Sequence, residues 1–98
     1  MREDLKMTID SLSEEYKDAL EKIIQIRKDR QKQYGDTYLT DDFLFLHYQV
    51  LNKMKRFSLQ LERKSGDEKL INREVALDSA IDCANYAIFI VAKMLNEK

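Results

Sequence analysis

Residues 73–93 constrain the fold most, because this stretch contains no glycine or proline and is rich in apolar side chains. At about 100° per residue, its apolar positions fall on one stripe of a helix. The stripe consists of Leu77, Ile81, Ala84, Ile88, Val91 and Leu95. We therefore predict a long helix here, against which the rest of the chain is organised.

A row of carboxylates accompanies this stripe. Glu74, Asp78 and Asp82 recur at i, i+4 and i+8, and Asn85 continues the same edge. Residues three or four apart are neighbours on a helix surface, so the three carboxylates are expected to stack. Their mutual repulsion indicates a neutralising partner, which is either a Lys or Arg side chain from another helix or a metal ion.

The second half of this helix, residues 83–92, is apolar on nearly every side. A helix that is apolar all round is expected to be buried all round. Because a chain of 98 residues has few places to enclose a helix, we expect a second copy to cover part of it, in a homodimer or higher oligomer. The run is shorter than the ~20 apolar residues that a membrane span needs, so we expect no membrane association.

Composition favours an all-α protein with one domain. The 98 residues include no proline and two glycines, and 36% of them are charged. A formal net charge of -1 gives no support for nucleic-acid binding, which usually shows a basic excess. The single cysteine and the lack of a hydrophobic segment at the N-terminus favour the cytoplasm.

Residues 1–10 are mixed and polar, and we assign them to an N-terminal arm that precedes a single helical domain over residues 11–98. The predicted N-caps of three helices are Ser13 (with Ser11 as the alternative), Thr40 and Asn72 (with a start nearer Asp67 as the alternative). Gly35 is predicted to end the first helix. The predicted inner stripe of that helix is Tyr16, Leu20, Ile23, Ile24 and Arg27. Three long helices with short connections predict an antiparallel, up-down-up bundle.

Basic side chains on the first two helices have different expected roles. Lys53 and Arg56 are three residues apart on the second helix, so they share a face suited to an anion or to the carboxylates of the third helix. The charges expected to form a solvated face on the first helix are Lys28, Asp29, Arg30 and Lys32.

Three motifs in order resemble a known family. They are Tyr34-Gly35-Asp36, Lys53-Met-Lys-Arg56, and the run from Glu74 through Asp78 and Asp82 to Asn85-Tyr86-Ala87. Together they look like the phage and bacterial nucleotide modification associated domain 1 proteins, which are similar to MazG-like, all-α nucleoside triphosphate pyrophosphohydrolases. The resemblance covers roughly residues 19–94.

The resemblance implies a MazG-like, oligomeric helical fold in a bacterial cell, encoded by either a bacterial or a phage gene. It also implies Mg²⁺ or Mn²⁺ on helix-borne carboxylates, and hydrolysis of (d)NTP to (d)NMP and pyrophosphate. The candidate metal ligands are Glu74, Asp78 and Asp82, and the candidate phosphate-binding residues are Lys53 and Arg56. The candidate nucleotide-pocket residues are Tyr34, Gly35, Asp36 and Asn85.

The chain departs from the MazG-like pattern in its acidic residues. MazG-like enzymes carry two acidic pairs, whereas here Glu74 and Asp78 are spaced one residue wider and the first pair has no clean match. Two interpretations of the third-helix carboxylates therefore stay open: Mg²⁺ ligation, or salt bridges to Lys53, Arg56 or Arg27. The alternative function is a non-catalytic helical module that binds a nucleotide or a protein.

Overall fold

The computed structural model describes residues 11–63, 67, 69 and 71–97, with the backbone alone at Tyr34, Thr37 and Arg63. The helices are α1 (Glu14–Tyr34), α2 (Phe43–Arg63) and α3 (Arg73–Leu95), with a 3₁₀ turn at Thr37–Leu39 between α1 and α2. Within the described residues, the prediction of an all-helical chain with three long helices is confirmed. The predicted N-terminal arm lies outside the described residues.

Local chemistry sets both ends of α1. The Ser13 hydroxyl accepts a hydrogen bond from the Tyr16 amide at 3.2 Å, which satisfies one of the free N–H groups at the helix start. At the other end, Gly35 has a φ of 60°, and its N–H donates to the Gln31 carbonyl at 2.9 Å. The predicted start at Ser13 and end at Gly35 are confirmed.

The predicted N-cap of α2 at Thr40 is wrong by two residues. Asp42 caps this helix, because its carboxylate accepts from the Phe45 amide at 2.7 Å. The 3₁₀ turn extends the connection before α2, and the Asp41 amide still donates back to the Tyr38 carbonyl at 3.3 Å.

The N-cap of α3 is the predicted residue. The Asn72 side chain accepts from the Val75 amide at 3.2 Å. Glu74 lies in the first turn, where its negative charge favours the positive end of the helix.

The α2 and α3 helices form the most extensive contact in the fold, and they run antiparallel. The Lys93 ammonium lies 4.9 Å from the centre of the Phe43 ring, near the start of α2 and the end of α3. Further along, the Cys83 sulfur lies 3.8 Å from the Val50 carbonyl oxygen. Residue numbers therefore rise along α2 as they fall along α3.

Contact between α1 and α3 is much shorter than that between α2 and α3. It involves the C-terminal half of α1, which carries Arg27 and Arg30. The expected inner stripe of α1 is therefore wrong in part, since Tyr16 is 55% exposed and Ile24 is 52% exposed.

Few apolar side chains are enclosed by the described part of the chain. Its buried apolar residues are Leu46, Ala76 and Ile81. The run 83–92 is not covered on every side within one chain, since Ile88 and Val91 remain about half exposed. The fold therefore leaves one side of α3 open.

By length and composition alone, α3 is long and apolar enough to cross a membrane. An 18-residue window of this helix has a mean hydropathy of 1.5, and 28% of that window is buried. The sequence-based argument that the apolar run is too short for a span therefore does not hold for the whole helix. Core helices of soluble proteins have the same composition, so this property does not assign α3 to a membrane.

Candidate functional site

A cleft of about 520 Å³ lies between the C-terminal half of α1, the loop that follows it, and the facing sides of α2 and α3. Three cations line it: Arg27, Arg30 and Lys53. Its aromatic lining consists of Tyr38, Phe45, Tyr86 and Phe89. The sequence-predicted residues Gly35, Asp82 and Asn85 also line it.

Two cations from different helices neutralise Asp82. Arg30 lies 2.7 Å from one carboxylate oxygen, and Lys53 lies 3.5 Å from the other. The Asp82 side chain is 12% exposed, so the carboxylate needs these charges near it. For Asp82 the salt-bridge interpretation with Lys53 is therefore correct. Arg30 is exposed, as expected for a solvated face, but its ion pair with Asp82 across α1 and α3 was not predicted.

Arg27 holds the loop that forms one rim of the cleft. Its guanidinium donates to the Gly35 carbonyl at 2.9 Å and lies 3.5 Å from the Asp36 carboxylate. Gln31 donates to the same carboxylate at 2.9 Å. Asp36 is therefore engaged by α1 and does not line the cleft, whereas Gly35 does. The backbone of Tyr34 ends α1, and its side chain lies outside the described residues.

The same arginine lies over an aromatic wall. The Tyr38 and Phe89 rings stack with centroids 4.4 Å apart and planes 10° apart. The Arg27 guanidinium lies 5.4 Å and 4.9 Å from the two ring centroids. The Tyr86 ring meets Phe89 edge to face at 5.7 Å. These contacts hold the rings in position before any ligand binds. The aromatic wall formed by Tyr38, Tyr86 and Phe89 therefore offers a preformed surface for a planar ligand.

Asn85 supplies an unused hydrogen-bond donor. The residue is 6% exposed, and its side-chain nitrogen has no hydrogen-bond partner in the described part of the chain. A buried donor without a partner costs about 1–3 kcal/mol. Because Asn85 lines the cleft one turn after Asp82, a ligand acceptor there would remove that cost.

The two predicted phosphate-binding residues lie in different places. Lys53 lines the cleft described above, whereas Arg56 lines a second cleft of about 390 Å³ together with Asp78 and Ser79. Asp82 borders both clefts.

The predicted carboxylate ligands do not form a metal site within one chain. Within residues 11–63, 67, 69 and 71–97, no group of three or more His, Cys, Asp or Glu side chains is placed to hold a metal ion. Glu74 is exposed at the start of α3, and the charge of Asp82 is offset by Arg30 and Lys53. Glu74, Asp78 and Asp82 thus do not form such a group in the described part of the chain, and ligation of Mg²⁺ or Mn²⁺ by them stays a prediction.

Three lining residues of the cleft, Arg30, Phe45 and Phe89, were not predicted as site residues from the sequence. One signal was available for Arg30: it lies three residues after Arg27, as Arg56 lies three residues after Lys53, and the two arginines precede Gly35 by about two turns and about one and a half turns. Two cations at that spacing share one face of the helix, where they are available to a facing carboxylate or another anion.

No protein-family model, curated protein or solved structure matches this chain. The resemblance to MazG-like proteins therefore rests on the sequence motifs and stays a prediction. The geometry of the cleft carries the functional argument that follows.

Proposed function

We propose that this chain binds a nucleotide of the nucleoside triphosphate class in the cleft between α1, α2 and α3. The observation that carries the proposal is the unpartnered amide nitrogen of Asn85, buried beside cations and an aromatic wall. The cleft volume of about 520 Å³ lies within the ~300–1,000 Å³ range of small-molecule sites.

The phosphates belong at the cationic side of the cleft. Arg30 and Lys53 share the single carboxylate of Asp82, and Arg27 adds a third positive charge nearby. Arg27 is also engaged by the Asp36 carboxylate at 3.5 Å, so the positive charge most available to a phosphate is that of Arg30 and Lys53, which share one carboxylate. Arginine binds phosphate through paired N–H donors, so Arg30 can bind a phosphate oxygen while it remains near Asp82.

The base belongs at the aromatic side. Tyr38, Tyr86 and Phe89 provide flat apolar surface, to which a nucleobase can add by stacking or by edge contact. Asn85 lies between the two sides and donates to an acceptor oxygen of the base or of a phosphate. One ligand with both a charged tail and a planar ring satisfies all of these groups.

Nucleotide binding without catalysis is the role that this geometry supports best, because Asp82 is already neutralised by protein cations. The second candidate function is the hydrolysis of (d)NTP to (d)NMP and pyrophosphate that the sequence resemblance implies. Hydrolysis is favoured by the position of Asp78, which lies one turn before Asp82 on α3 and lines the second cleft with it. Two carboxylates therefore lie close together on one helix. We propose the cytoplasm of a bacterial cell as the compartment, for a bacterial or phage-encoded chain.

Calorimetric titration with each NTP and dNTP, with and without Mg²⁺, tests the proposal. Pyrophosphate is measured in the same samples. Saturable binding without pyrophosphate release supports the binding module, and metal-dependent release of pyrophosphate supports the hydrolase. Failure of every triphosphate to bind at millimolar concentration would overturn nucleotide recognition itself.

A further inference from the structure

Arg27 and Arg30 both lie on α1 and line the cleft, but their side chains have different surroundings. The Arg27 side chain is 22% exposed, whereas that of Arg30 is 45% exposed. Arg30 pairs with Asp82 across to α3. Arg27 instead contacts the protein on two sides, which are the loop after α1 and the aromatic wall. The two arginines are therefore not equivalent as groups for binding a phosphate.

On the loop side, Arg27 anchors the segment that carries Tyr38. Its guanidinium donates to the Gly35 carbonyl at 2.9 Å and lies 3.5 Å from the Asp36 carboxylate. The Asp36 carbonyl in turn accepts from the Leu39 amide at 3.0 Å, which closes the 3₁₀ turn around Tyr38. Because the two Arg27 contacts hold the start of this turn against α1, the position of the Tyr38 ring depends on Arg27.

On the aromatic side, Arg27 lies against the stacked pair of Tyr38 and Phe89. The guanidinium carbon is 5.4 Å from the Tyr38 centroid and 4.9 Å from the Phe89 centroid, and the two centroids are 4.4 Å apart. The three distances are similar, so the guanidinium lies beside the ring pair rather than beyond one of its ends. From there it holds a ring of the loop and a ring of α3 in a fixed relation.

These contacts make Arg27 a poor phosphate ligand. A guanidinium that serves the Gly35 carbonyl and the Asp36 carboxylate has fewer donors left, and a move toward a phosphate would release the loop. Arg30 and Lys53 share one carboxylate between them, so they can bind phosphate without freeing the turn that carries Tyr38.

We propose that Arg27 is a positioning residue for the base of the bound nucleotide. It does not bind the phosphates; it fixes the Tyr38 ring on Phe89, so the aromatic wall is formed before the ligand arrives. This inference rests on the proposed nucleotide-binding function and assigns one residue of that site to recognition of the base. Binding of a polyphosphate that has no planar ring should therefore not depend on Arg27.

Calorimetric titration with three ligands tests this role: a nucleoside triphosphate, the monophosphate of the same nucleoside, and inorganic tripolyphosphate. Arg27→Gln should weaken both nucleotides by the same factor, about 3- to 10-fold, and leave tripolyphosphate binding unchanged. Arg27→Lys should show the same losses, because an ammonium keeps the charge but lacks the planar fork. The matched control is Lys28→Gln, at the exposed neighbouring residue of α1, which should bind all three ligands as the wild type does.

Two results of these titrations would overturn the proposal. One is a loss of tripolyphosphate affinity in Arg27→Gln as large as the loss of triphosphate affinity. The other is full recovery of nucleotide affinity in Arg27→Lys. Either result would mean that Arg27 acts through its charge on the phosphates.

Asp36→Ala keeps the proposal testable if the Arg27 variants unfold. The Asp36 side chain is 58% exposed, so its removal should be tolerated. A looser turn should lower the affinity of both nucleotides about 2- to 5-fold and leave that of tripolyphosphate unchanged. If Arg27 were a phosphate ligand, its release from Asp36 would instead raise the affinity for triphosphate and for tripolyphosphate. Such a rise, or an unchanged nucleotide affinity, overturns the proposal.

The ligand-free protein separates this inference from the proposed function. Stacking on Phe89 shields the Tyr38 ring, so its proton resonances should lie upfield in the NMR spectrum, where Tyr38→Phe assigns them. Arg27→Gln should move them toward the position of free tyrosine, and Lys28→Gln should not. If the resonances respond but no nucleotide binds to the wild type, the proposed function fails and the anchoring of Tyr38 stands. If nucleotides bind but the resonances do not respond, the function stands and the positioning role of Arg27 fails.

Discussion

Arg30 on α1 lies 2.7 Å from Asp82 on α3, and the two side chains differ greatly in exposure to solvent. The Asp82 side chain is 12% exposed, whereas that of Arg30 is 45% exposed. The pair therefore ties α1 to α3 and at the same time keeps a cation at the opening of the cleft. Its two roles, structural and ligand-binding, can be separated by substitution.

Asp82→Asn should lower the stability of the ligand-free protein. The substitution leaves Arg30 and Lys53 close together without the carboxylate that offsets them. The expected loss is about 1–3 kcal/mol, between the values for exposed and buried pairs. Thermal melts measure it, with Asp78→Asn, at an exposed aspartate one turn earlier on the same helix, as the matched control. Equal losses in the two variants would contradict the structural role of Asp82.

Asn85→Ala should separate binding from stability. Removal of the unpaired buried donor relieves a cost of about 1–3 kcal/mol, which should offset the packing lost with the side chain, so the unfolding free energy should change little. Nucleotide affinity should fall about 5- to 100-fold. Calorimetric titration and melts are made on both proteins. The control is Asn52→Ala, at an exposed asparagine of α2. Unfolding of Asn85→Ala, with unchanged affinity per folded molecule, would assign Asn85 to the core.

Gly35→Ala should destabilise the end of α1 through the backbone alone. Gly35 has a φ of 60°, and a Cβ placed there meets no atom within 4 Å. The expected cost is about 1–3 kcal/mol, because residues with a Cβ rarely adopt this conformation. Chemical denaturation measures the change. A variant as stable as the wild type would show that the loop has an alternative conformation of equal energy.

Mg²⁺ alone should leave the melting temperature unchanged. A ligand that binds only the native state raises stability by mass action, but Asp82 is already neutralised by protein cations. Melts across millimolar Mg²⁺ and Mn²⁺, without nucleotide, make the comparison. An increase that Asp78→Asn abolishes would instead support metal binding at Glu74, Asp78 and Asp82.

Local features of this fold could be predicted from sequence, because they depend on neighbouring residues. Ser13 and Asn72 cap helices through their own side chains, and Gly35 ends α1 because it tolerates a positive φ. The N-cap of α2 was predicted at Thr40 because threonine and aspartate are both favoured N-cap residues, and the sequence does not distinguish Thr40 from Asp42. The 3₁₀ turn before α2 moves the helix start to Asp42.

Long-range features depend on how helices cross, which local patterns do not specify. Lys53 was a candidate partner of the acidic stripe, and the structure places it on Asp82. Arg30 was not a candidate partner of that stripe. It reaches Asp82 only because the C-terminal half of α1 makes a short contact with α3, which the sequence pattern does not specify. Lys53 and Arg56 lie about 60° apart around α2, so one shared face can still divide between two clefts.

The most direct test of the cleft compares two lysines on α2. Lys53 lines the cleft and pairs with Asp82, whereas Lys55 is exposed two residues away. Both substitutions to alanine remove one positive charge, so they differ mainly in position. Calorimetric titration of one tightly binding nucleoside triphosphate into the wild type, Lys53→Ala and Lys55→Ala measures the difference. We predict a loss of about 10- to 100-fold in affinity for Lys53→Ala and no change for Lys55→Ala. Equal affinities in all three proteins, or equal losses in both variants, would contradict a phosphate site in this cleft.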